Sequence, residues 1–128
     1  MQWLALLIGF YIFLLPSFAQ PTKWQNLAQR IDSLYEHAYY RDAIPLVQEV
    51  VIEAEKTFGR QHANFSASIN MLGRLYQMQA KFDLAESLLT RSLQIDQEHS
   101  DNNDTIFIQH TLDLVEFFDT RCLYSKAE

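Results

Sequence analysis

The sequence has few of the residues that cross-link a chain or interrupt its helices. Its 128 residues include a single cysteine, Cys122, with three glycines and three prolines. One cysteine excludes an intramolecular disulfide framework, and it also excludes a cysteine-rich zinc site. The scarcity of glycine and proline, together with 48% hydrophobic residues, argues against a disordered, collagenous or linker-like chain and favours one compact helical domain.

Positive charge is also scarce. Ten Lys and Arg against sixteen Asp and Glu give a formal charge of −6, which would repel nucleic acid and anionic lipid. None of the four histidines lies three or four residues from another, so structural or surface roles are favoured over a metal site. Cys122 has no positioned base nearby in the sequence, which favours a small apolar filler over a nucleophile. We therefore predict a protein that is not an enzyme and uses no metal or cofactor.

The first 19 residues contain no ionisable side chain. Their apolar run, Trp3 to Leu15, is about as long as a signal-peptide core and shorter than the roughly 20 residues that a membrane-spanning helix needs. Ser17-Phe18-Ala19 places small residues at the two positions that a signal peptidase reads. We predict a signal peptide over residues 1–19 and a secreted or periplasmic protein of residues 20–128. Because no Lys or Arg precedes the apolar run, an uncleaved membrane anchor stays open as the alternative.

The remaining sequence repeats itself. An aromatic residue, two further residues and an alanine recur at intervals of 42 residues, in Tyr40-Arg41-Asp42-Ala43, Phe82-Asp83-Leu84-Ala85 and Tyr124-Ser125-Lys126-Ala127. A fixed period of this length is typical of helical repeat proteins. We predict repeats over about residues 24–62 and 63–104, and an incomplete third repeat over residues 105–128.

Each repeat is predicted to be two helices joined by a tight turn. In the second repeat, Ile69, Leu72 and Leu75 recur at the spacing of an apolar helical stripe. Gly73 lies on the same helix, where it would allow a neighbouring helix to approach closely, and Gly59 is placed to cap the helix before it. We expect helices over about residues 24–37, 41–57, 64–78, 83–98 and 106–119. The third repeat is expected to turn shortly after its first helix.

Local signals also indicate where helices begin. Asp104 or Thr105 can cap the first helix of the third repeat. Asp83, followed three residues later by Glu86, resembles a capping box for the second helix of the second repeat. Pro45 is expected in the first turn of its helix, where a missing backbone N–H costs little.

The residues of the second repeat resemble the tetratricopeptide (TPR) family. Leu72-Gly73-x-x-Tyr76 and Ala85 match the Leu-Gly-x-x-Tyr of its first helix and the Ala of its second. The period is 42 rather than roughly 34 residues, which is similar to the kinesin-light-chain variety. That variety also has a Gly-x-x-His-Pro linker and a Ser-Leu-Asn-Asn-Leu helix, which Gly59-Arg60-Gln61-His62-Ala63 and Ser68-Ile69-Asn70-Met71-Leu72 resemble. The resemblance implies an all-α solenoid of about two and a half repeats.

The resemblance further implies that a peptide or protein partner binds in a concave groove, lined by the first helix of each repeat. By position, the groove residues are Asn70, Arg74 and Gln77 in the second repeat, Gln29, Ser33 and Glu36 in the first, and Leu112, Glu116 and Asp119 in the third. Asn70 matches the first Asn of the family motif and is expected to make bidentate hydrogen bonds to a ligand backbone. The mixed polarity of the set implies no single ligand charge.

Two alternatives stay open. The repeats could form the sensor region of a larger signalling protein, with a caspase-like peptidase or histidine kinase domain beyond residue 128. The chain could also associate with itself, because the third helical pair lacks its second helix. Ile106, Leu114, Phe117 and Phe118 would then be left without a packing partner and would form an apolar patch. The chain is accordingly expected to be a truncated product or an N-terminal fragment.

Overall fold

A computed structural model describes residues 23–99 and 104–127 of the chain. Within these residues the chain forms helices and no strand. The helices are α1 (Lys23–Glu36), α2 (Tyr40–Phe58), α3 (Ala63–Met78), α4 (Phe82–His99) and α5 (Thr105–Ala127). The predicted all-α class is therefore confirmed. The predicted signal peptide, residues 1–19, lies outside the described residues.

Two turns of the same type join α1 to α2 and α3 to α4. Ala38 and Ala80 both adopt left-handed backbone angles, with φ of 58° and 57°. Tyr39 N then donates to Leu34 O, five residues back, and Lys81 N donates to the carbonyl oxygen five residues before it. This pattern is the Schellman motif, which ends a helix sharply. The two turns stand 42 residues apart, from 38 to 80, as the sequence repeat predicts.

The other connections also follow sequence signals. Gly59, at a φ of 85°, caps α2 and donates its N–H to Glu55 O, which confirms its predicted place. His62 caps α3, because its Nδ1 accepts from Asn64 N at 3.0 Å. At the start of α5, Asp104 Oδ1 accepts from the N–H of the second helical residue at 2.9 Å, which confirms the predicted cap.

Two predictions about helix starts are wrong. Helix α2 begins at Tyr40, so Pro45 is its sixth residue and lies beyond the first turn. Because proline has no N–H, the carbonyl oxygen of Arg41 loses its usual helical donor. Helix α4 begins at Phe82, so Asp83 already lies inside its first turn and cannot be the N-cap of a capping box. The carboxylate of Glu86 instead forms an ion pair with Arg121 of α5.

Helix α5 runs unbroken to Ala127, so the turn predicted after Asp119 is absent. The segment that follows contains neither glycine nor proline, and nothing in it stops a helix from continuing. The aromatic residue and alanine at Tyr124 and Ala127 therefore repeat the sequence pattern without starting a new helix. Cys122 is exposed on this helix, which contradicts its predicted role as a buried filler.

The interior lies between consecutive helices, with α3 at its centre. Gly73 is buried against α4, and a Cβ atom at this position would lie 3.0 Å from two side-chain atoms of Leu89. The predicted close approach of a neighbouring helix is therefore confirmed. Further core residues fall into three clusters along the chain: Ile31, Val47, Leu72 and Leu75; Ala54, Phe65, Ile69 and Ile95; and Ala85, Leu89 and Phe117.

The expected apolar patch on the third repeat is only partly present. Phe117 is fully buried against α4, with its ring centroid 6.1 Å from that of Phe82, so the prediction that it lacks a packing partner is wrong. Leu114 is half-buried and packs against the same core cluster, whereas Ile106 and Phe118 are exposed. Within the part of the chain described, no helix combines the length and apolar character needed to cross a membrane.

Candidate functional site

Four polar side chains form a hydrogen-bonded cluster in the interior, which we name the polar network. Its members come from α3, α4 and α5 and are all buried: Ser66, Ser92, Asp96 and His110. Ser66 Oγ donates to Asp96 Oδ1 at 2.6 Å, and His110 Nδ1 lies 2.5 Å from Asp96 Oδ2. Ser92 Oγ lies 3.1 Å from both Ser66 Oγ and His110 Nδ1. The carboxylate therefore holds α3 and α5 against α4.

The geometry of the polar network is not that of a catalytic triad. In a triad, the carboxylate holds Nδ1 of the histidine while the serine hydroxyl meets Nε2. Here Asp96 and Ser92 both meet Nδ1 of His110. The two serines also have no exposed surface at which a substrate could arrive. The polar network therefore joins three helices without the geometry of a triad.

Helices α3 and α5 both run antiparallel to α4 and hence parallel to each other. Near the end of α4, Asp96 contacts both Ser66 of α3 and His110 of α5. Nearer the start of α4, Leu89 packs against both helices, beside the glycine of α3 and against Phe117 of α5. Residues later in α3 and α5 thus contact residues earlier in α4, which is the pattern of antiparallel helices.

A second group of polar side chains lies where α3 faces α5. Gln77 Nε2 donates to Thr120 Oγ1 at 3.3 Å, which is a direct link between the two helices. Asn70 lies seven residues before Gln77 on α3. Asp113 lies seven residues before Thr120 on α5. Since seven residues are about two helical turns, Asn70 and Asp113 lie on the facing sides of parallel helices and at the same level.

Both residues are buried without full pairing. Asn70 is 4% exposed and Asp113 is 5% exposed. Asp113 Oδ1 accepts from Gln109 Nε2 at 3.0 Å. Asp113 Oδ2 and Asn70 Nδ2 have no hydrogen-bond partner among the described residues. A buried acceptor on α5 and a buried donor on α3 are thus left over at one level of the interface.

Helix α1 brings a tyrosine to the same region. Tyr35 Oη donates to Met71 O, next to Asn70, at 3.4 Å. Burial raises the pKa of Tyr35 to about 12, and the Asp113 carboxylate adds to this shift while the Arg74 guanidinium opposes it. The charges of α3 and α5 therefore both act on the phenol. We name the residues that α1, α3 and α5 bring together the polar cleft: Tyr35, Asn70, Arg74, Gln77, Asp113 and Thr120.

The predicted groove residues are distributed unevenly over the structure. The three on α3, Asn70, Arg74 and Gln77, all belong to the polar cleft. On α1, Glu36 is exposed near the end of the helix, whereas Gln29 and Ser33 line a separate surface cavity of about 520 Å³. That cavity is bounded by α2 rather than by α3, because its other lining residues include one from α2.

On α5 the predicted residues lie outside the cleft. Leu112, Glu116 and Asp119 are exposed, and the side of α5 that meets α3 presents Asp113 and Thr120 instead. The sequence repeat of 42 residues pairs Leu112 with Asn70, whereas the contact between α3 and α5 joins residues 77 and 120. The contact has an offset of 43 residues and therefore pairs Asn70 with Asp113. The sequence analysis, which used the repeat, missed Asp113.

The cleft offers hydrogen-bond donors and acceptors on three helices. Among the residues described, no group of three or more His, Cys, Asp or Glu is placed to hold a metal ion. A comparison with protein-family models finds no match for this chain, and a comparison with curated proteins finds none either. The case for a function therefore depends on the geometry of the cleft and on the family resemblance of the sequence.

Proposed function

We propose that the chain is an exported, non-enzymatic TPR-type scaffold that binds a peptide or protein segment in the polar cleft. The observation that carries this proposal is the pair of buried, unpartnered atoms, Asn70 Nδ2 and Asp113 Oδ2. Leaving a polar group buried and unpaired costs about 1–3 kcal/mol. Neither atom has accessible surface in the free protein, so a ligand pairs both only where α3 and α5 part at this level, and that pairing would offset the cost.

The family resemblance also supports the polar cleft as the binding site. It assigns ligand binding to the first helix of each repeat, and α1, α3 and α5 are the helices that supply the cleft. Asn70, the residue that matches the family motif, carries one of the two unpartnered atoms. Arg74 lies one turn further along α3 and is exposed, so it can contact a ligand at the mouth of the cleft. Gln77 lies at the far end of the cleft, where its side chain donates a hydrogen bond to Thr120.

A random peptide library displayed against the purified protein tests this function. Selected peptides should bind the wild type, and Asn70→Ala should weaken them about tenfold or more, which corresponds to 1.4 kcal/mol. Arg74→Ala should weaken them less, because its side chain is exposed. Both variants should keep the helicity of the wild type by circular dichroism. Gln97→Ala, at an exposed position of α4, is the matched control and should bind as the wild type does.

Two results would contradict the proposal. One is a library that yields no binding peptide. The other is a set of peptides whose affinity neither Asn70→Ala nor Arg74→Ala changes, which would mean that they bind elsewhere. The alternative in which these helices are the sensor region of a larger signalling protein uses the same cleft and meets the same test.

Export is part of the proposal and has its own test. Cleavage after Ala19 would leave Gln20 as the first residue of the protein recovered from outside the cytoplasm. The intact mass and the N-terminal sequence of that protein measure this directly. A protein that keeps residues 1–19 and sediments with membranes would instead be an anchored form.

The exposed side of α5 favours self-association as a second role. Leu112 and Leu123 are 56% and 69% exposed, and Ile106 and Phe118 lie on the same helix with about half of their surface exposed. Apolar area of this kind is expected to be covered by another surface. Light scattering over a range of protein concentrations should then show a dimer, and Leu112→Glu should shift it to the monomer. A monomer at all concentrations would exclude this role.

A further inference from the structure

Helix α5 carries apolar side chains on two opposite sides. On one side, Phe117 is fully buried against α4. On the other side, Ile108, Leu112 and Val115 are 47%, 56% and 53% exposed, and Cys122 is exposed as well. A helix that is apolar on all sides is typical of one that is covered on all sides. The helices that the structure describes cover only the side of Phe117.

The exposed residues follow the spacing of a coiled coil. Starting from Ile108, alternating steps of four and three residues lead to positions 112, 115, 119, 122 and 126. This alternation is the heptad spacing of the line along which two helices interlock. We name the six residues on this line the α5 seam: Ile108, Leu112, Val115, Asp119, Cys122 and Lys126.

The α5 seam differs from the face by which α3 packs against α4. On that face, Ser66 donates to a backbone oxygen of α4 and Gly73 lies against Leu89. The residues 42 positions later are Ile108 and Val115, so large branched side chains replace small ones. A neighbour of α5 must therefore stand farther away than α4 stands from α3. This favours a helix whose side chains interlock with the seam over a repetition of the close contact at Gly73.

We propose that α5 of a second copy of this chain covers the α5 seam and runs antiparallel to the first. The proposal rests on the self-association proposed above and deepens it, because it specifies the surface and the orientation. A second copy presents the same heptad spacing, so the two seams can interlock along their length. Its α5 would also continue the antiparallel alternation that runs from α3 through α4 to α5.

The charged residues of the seam select the antiparallel orientation. In a parallel pair, each residue of the seam faces its own counterpart. The two carboxylates of Asp119 would then stand directly opposite each other, and so would the two ammonium groups of Lys126. Like charges opposed in an interface disfavour that arrangement.

An antiparallel pair separates these charges along the helix axis. The aligned residues of the two copies are then Ile108 and Lys126, Leu112 and Cys122, and Val115 and Asp119. Lys126 can lay its aliphatic stem along Ile108 of the second copy, about one helical turn from Asp104, which carries the opposite charge. Asp119 and Glu116 of both copies lie near the two-fold axis, so apolar contacts hold the pair together against a local repulsion.

Disulfide trapping with dissolved oxygen and a copper catalyst tests the orientation. Leu112→Cys places a thiol opposite Cys122 of the second copy, so most of this variant should run as a covalent dimer on a gel without reductant. The wild type should stay uncrosslinked, because its Cys122 faces Leu112. Within one copy, positions 112 and 122 lie ten residues apart, about 15 Å along the helix, which is too far for a disulfide.

The matched control combines Leu112→Cys with Cys122→Ser. It should not cross-link, because in the antiparallel pair the two residues at position 112 are as far apart as positions 112 and 122 are within one copy. A parallel pair would cross-link both this control and the wild type, which overturns the orientation. A dimeric protein in which Leu112→Cys forms no covalent dimer overturns it as well.

Sedimentation equilibrium measures the pair without a cross-link. Asp119→Leu should tighten the dimer about tenfold, because it replaces a charge near the two-fold axis with an apolar side chain. Leu112→Glu should weaken the dimer about tenfold or more. Gln97→Ala, at an exposed position of α4, is the control and should associate as the wild type does. A dimer that Asp119→Leu leaves unchanged or weakens would place the contact elsewhere.

These results are distinguishable from a failure of the proposed self-association. A protein that is monomeric at every concentration contradicts both the self-association and the antiparallel pair, and it means that some other surface covers the seam. A dimer that cross-links through Cys122 in the wild type contradicts the antiparallel orientation alone. The peptide library tests binding in the polar cleft separately.

Discussion

The polar network and the polar cleft are two buried polar regions built on the same helices, and they differ in how completely they are paired. On α3, Ser66 of the network and Asn70 of the cleft stand four residues apart. On α5, His110 of the network and Asp113 of the cleft stand three residues apart. Every side chain of the network is hydrogen-bonded within the protein, whereas in the cleft one donor and one acceptor have no partner among the residues that the structure describes.

The two regions contribute differently to the protein. Paired polar groups in a dry interior rigidify the fold, and removing one of them leaves its partner buried and alone. Unpaired groups cost stability, and proteins commonly retain such costs where a function requires them. The network should therefore be needed for folding, and the cleft should be needed for binding.

The largest effect is expected for the centre of the network. Asp96→Ala removes the carboxylate that holds both Ser66 and His110, and it should lower the free energy of unfolding by about 3–5 kcal/mol. Equilibrium unfolding in urea measures the change. Gln97→Ala, one residue further and exposed, should stay within about 0.5 kcal/mol of the wild type. A loss below about 1 kcal/mol for Asp96→Ala would show that the network does not hold the helices together.

A smaller loss is expected at the edge of the network. Ser66→Ala removes one hydroxyl donor to Asp96, and His110 keeps its own contact to the same carboxylate. The free energy of unfolding should fall by about 1–2 kcal/mol, again by urea unfolding. Ser87→Ala on the exposed side of α4 is the matched control. Equal effects of the two serine substitutions would contradict a special role for Ser66.

The cleft should respond in the opposite direction. Asp113→Leu replaces a buried carboxylate with an apolar side chain, so the free energy of unfolding should stay unchanged or rise by about 1 kcal/mol, while the selected peptides bind about tenfold or more weakly. Urea unfolding and fluorescence anisotropy measure the two quantities on the same sample. If stability falls by several kcal/mol as it does for Asp96→Ala, the distinction between network and cleft is wrong.

The smallest effect is electrostatic. Tyr35 has its pKa raised from 10.0 to about 12 by burial, so the folded state favours the neutral phenol. Its contribution to stability is fully present below about pH 10 and is lost as the pH rises towards 12. The tyrosinate absorbance of the wild type minus that of Tyr35→Phe isolates this group. Its midpoint should lie near pH 12 and should fall slightly in Asp113→Leu, because one of the causes that raise the pKa is removed. A midpoint near pH 10 would contradict the buried setting of Tyr35.

Much of the fold could be predicted from periodicity and local signals. The apolar stripe of α3, the cap at Gly59 and the close approach at Gly73 each depend on residues near one another in the sequence. The end of α5 could not be predicted from the repeat, because Tyr124 and Ala127 keep the pattern while the segment lacks any residue that stops a helix.

The buried polar regions were harder to predict for a different reason. Ser92 is small, and its position fits the apolar stripe of its helix. Asp96 contacts His110 across the connection between α4 and α5, and the repeat does not specify the length of that connection. On α3, the family motif indicates Asn70, which the structure places in the polar cleft. On α5, a shift of one residue between the repeat and the actual contact exchanges Leu112 for Asp113, so only the three-dimensional structure identifies the acceptor.

The partner is proposed to bind at the unpaired atoms of the cleft. The most direct measurement follows the side-chain NH₂ resonances of Asn70 by ¹⁵N NMR while a selected peptide is added to the purified protein. We expect these two resonances to move among the most in the spectrum. If the peptide binds and shifts other resonances while those of Asn70 stay in place, the cleft is not the binding site.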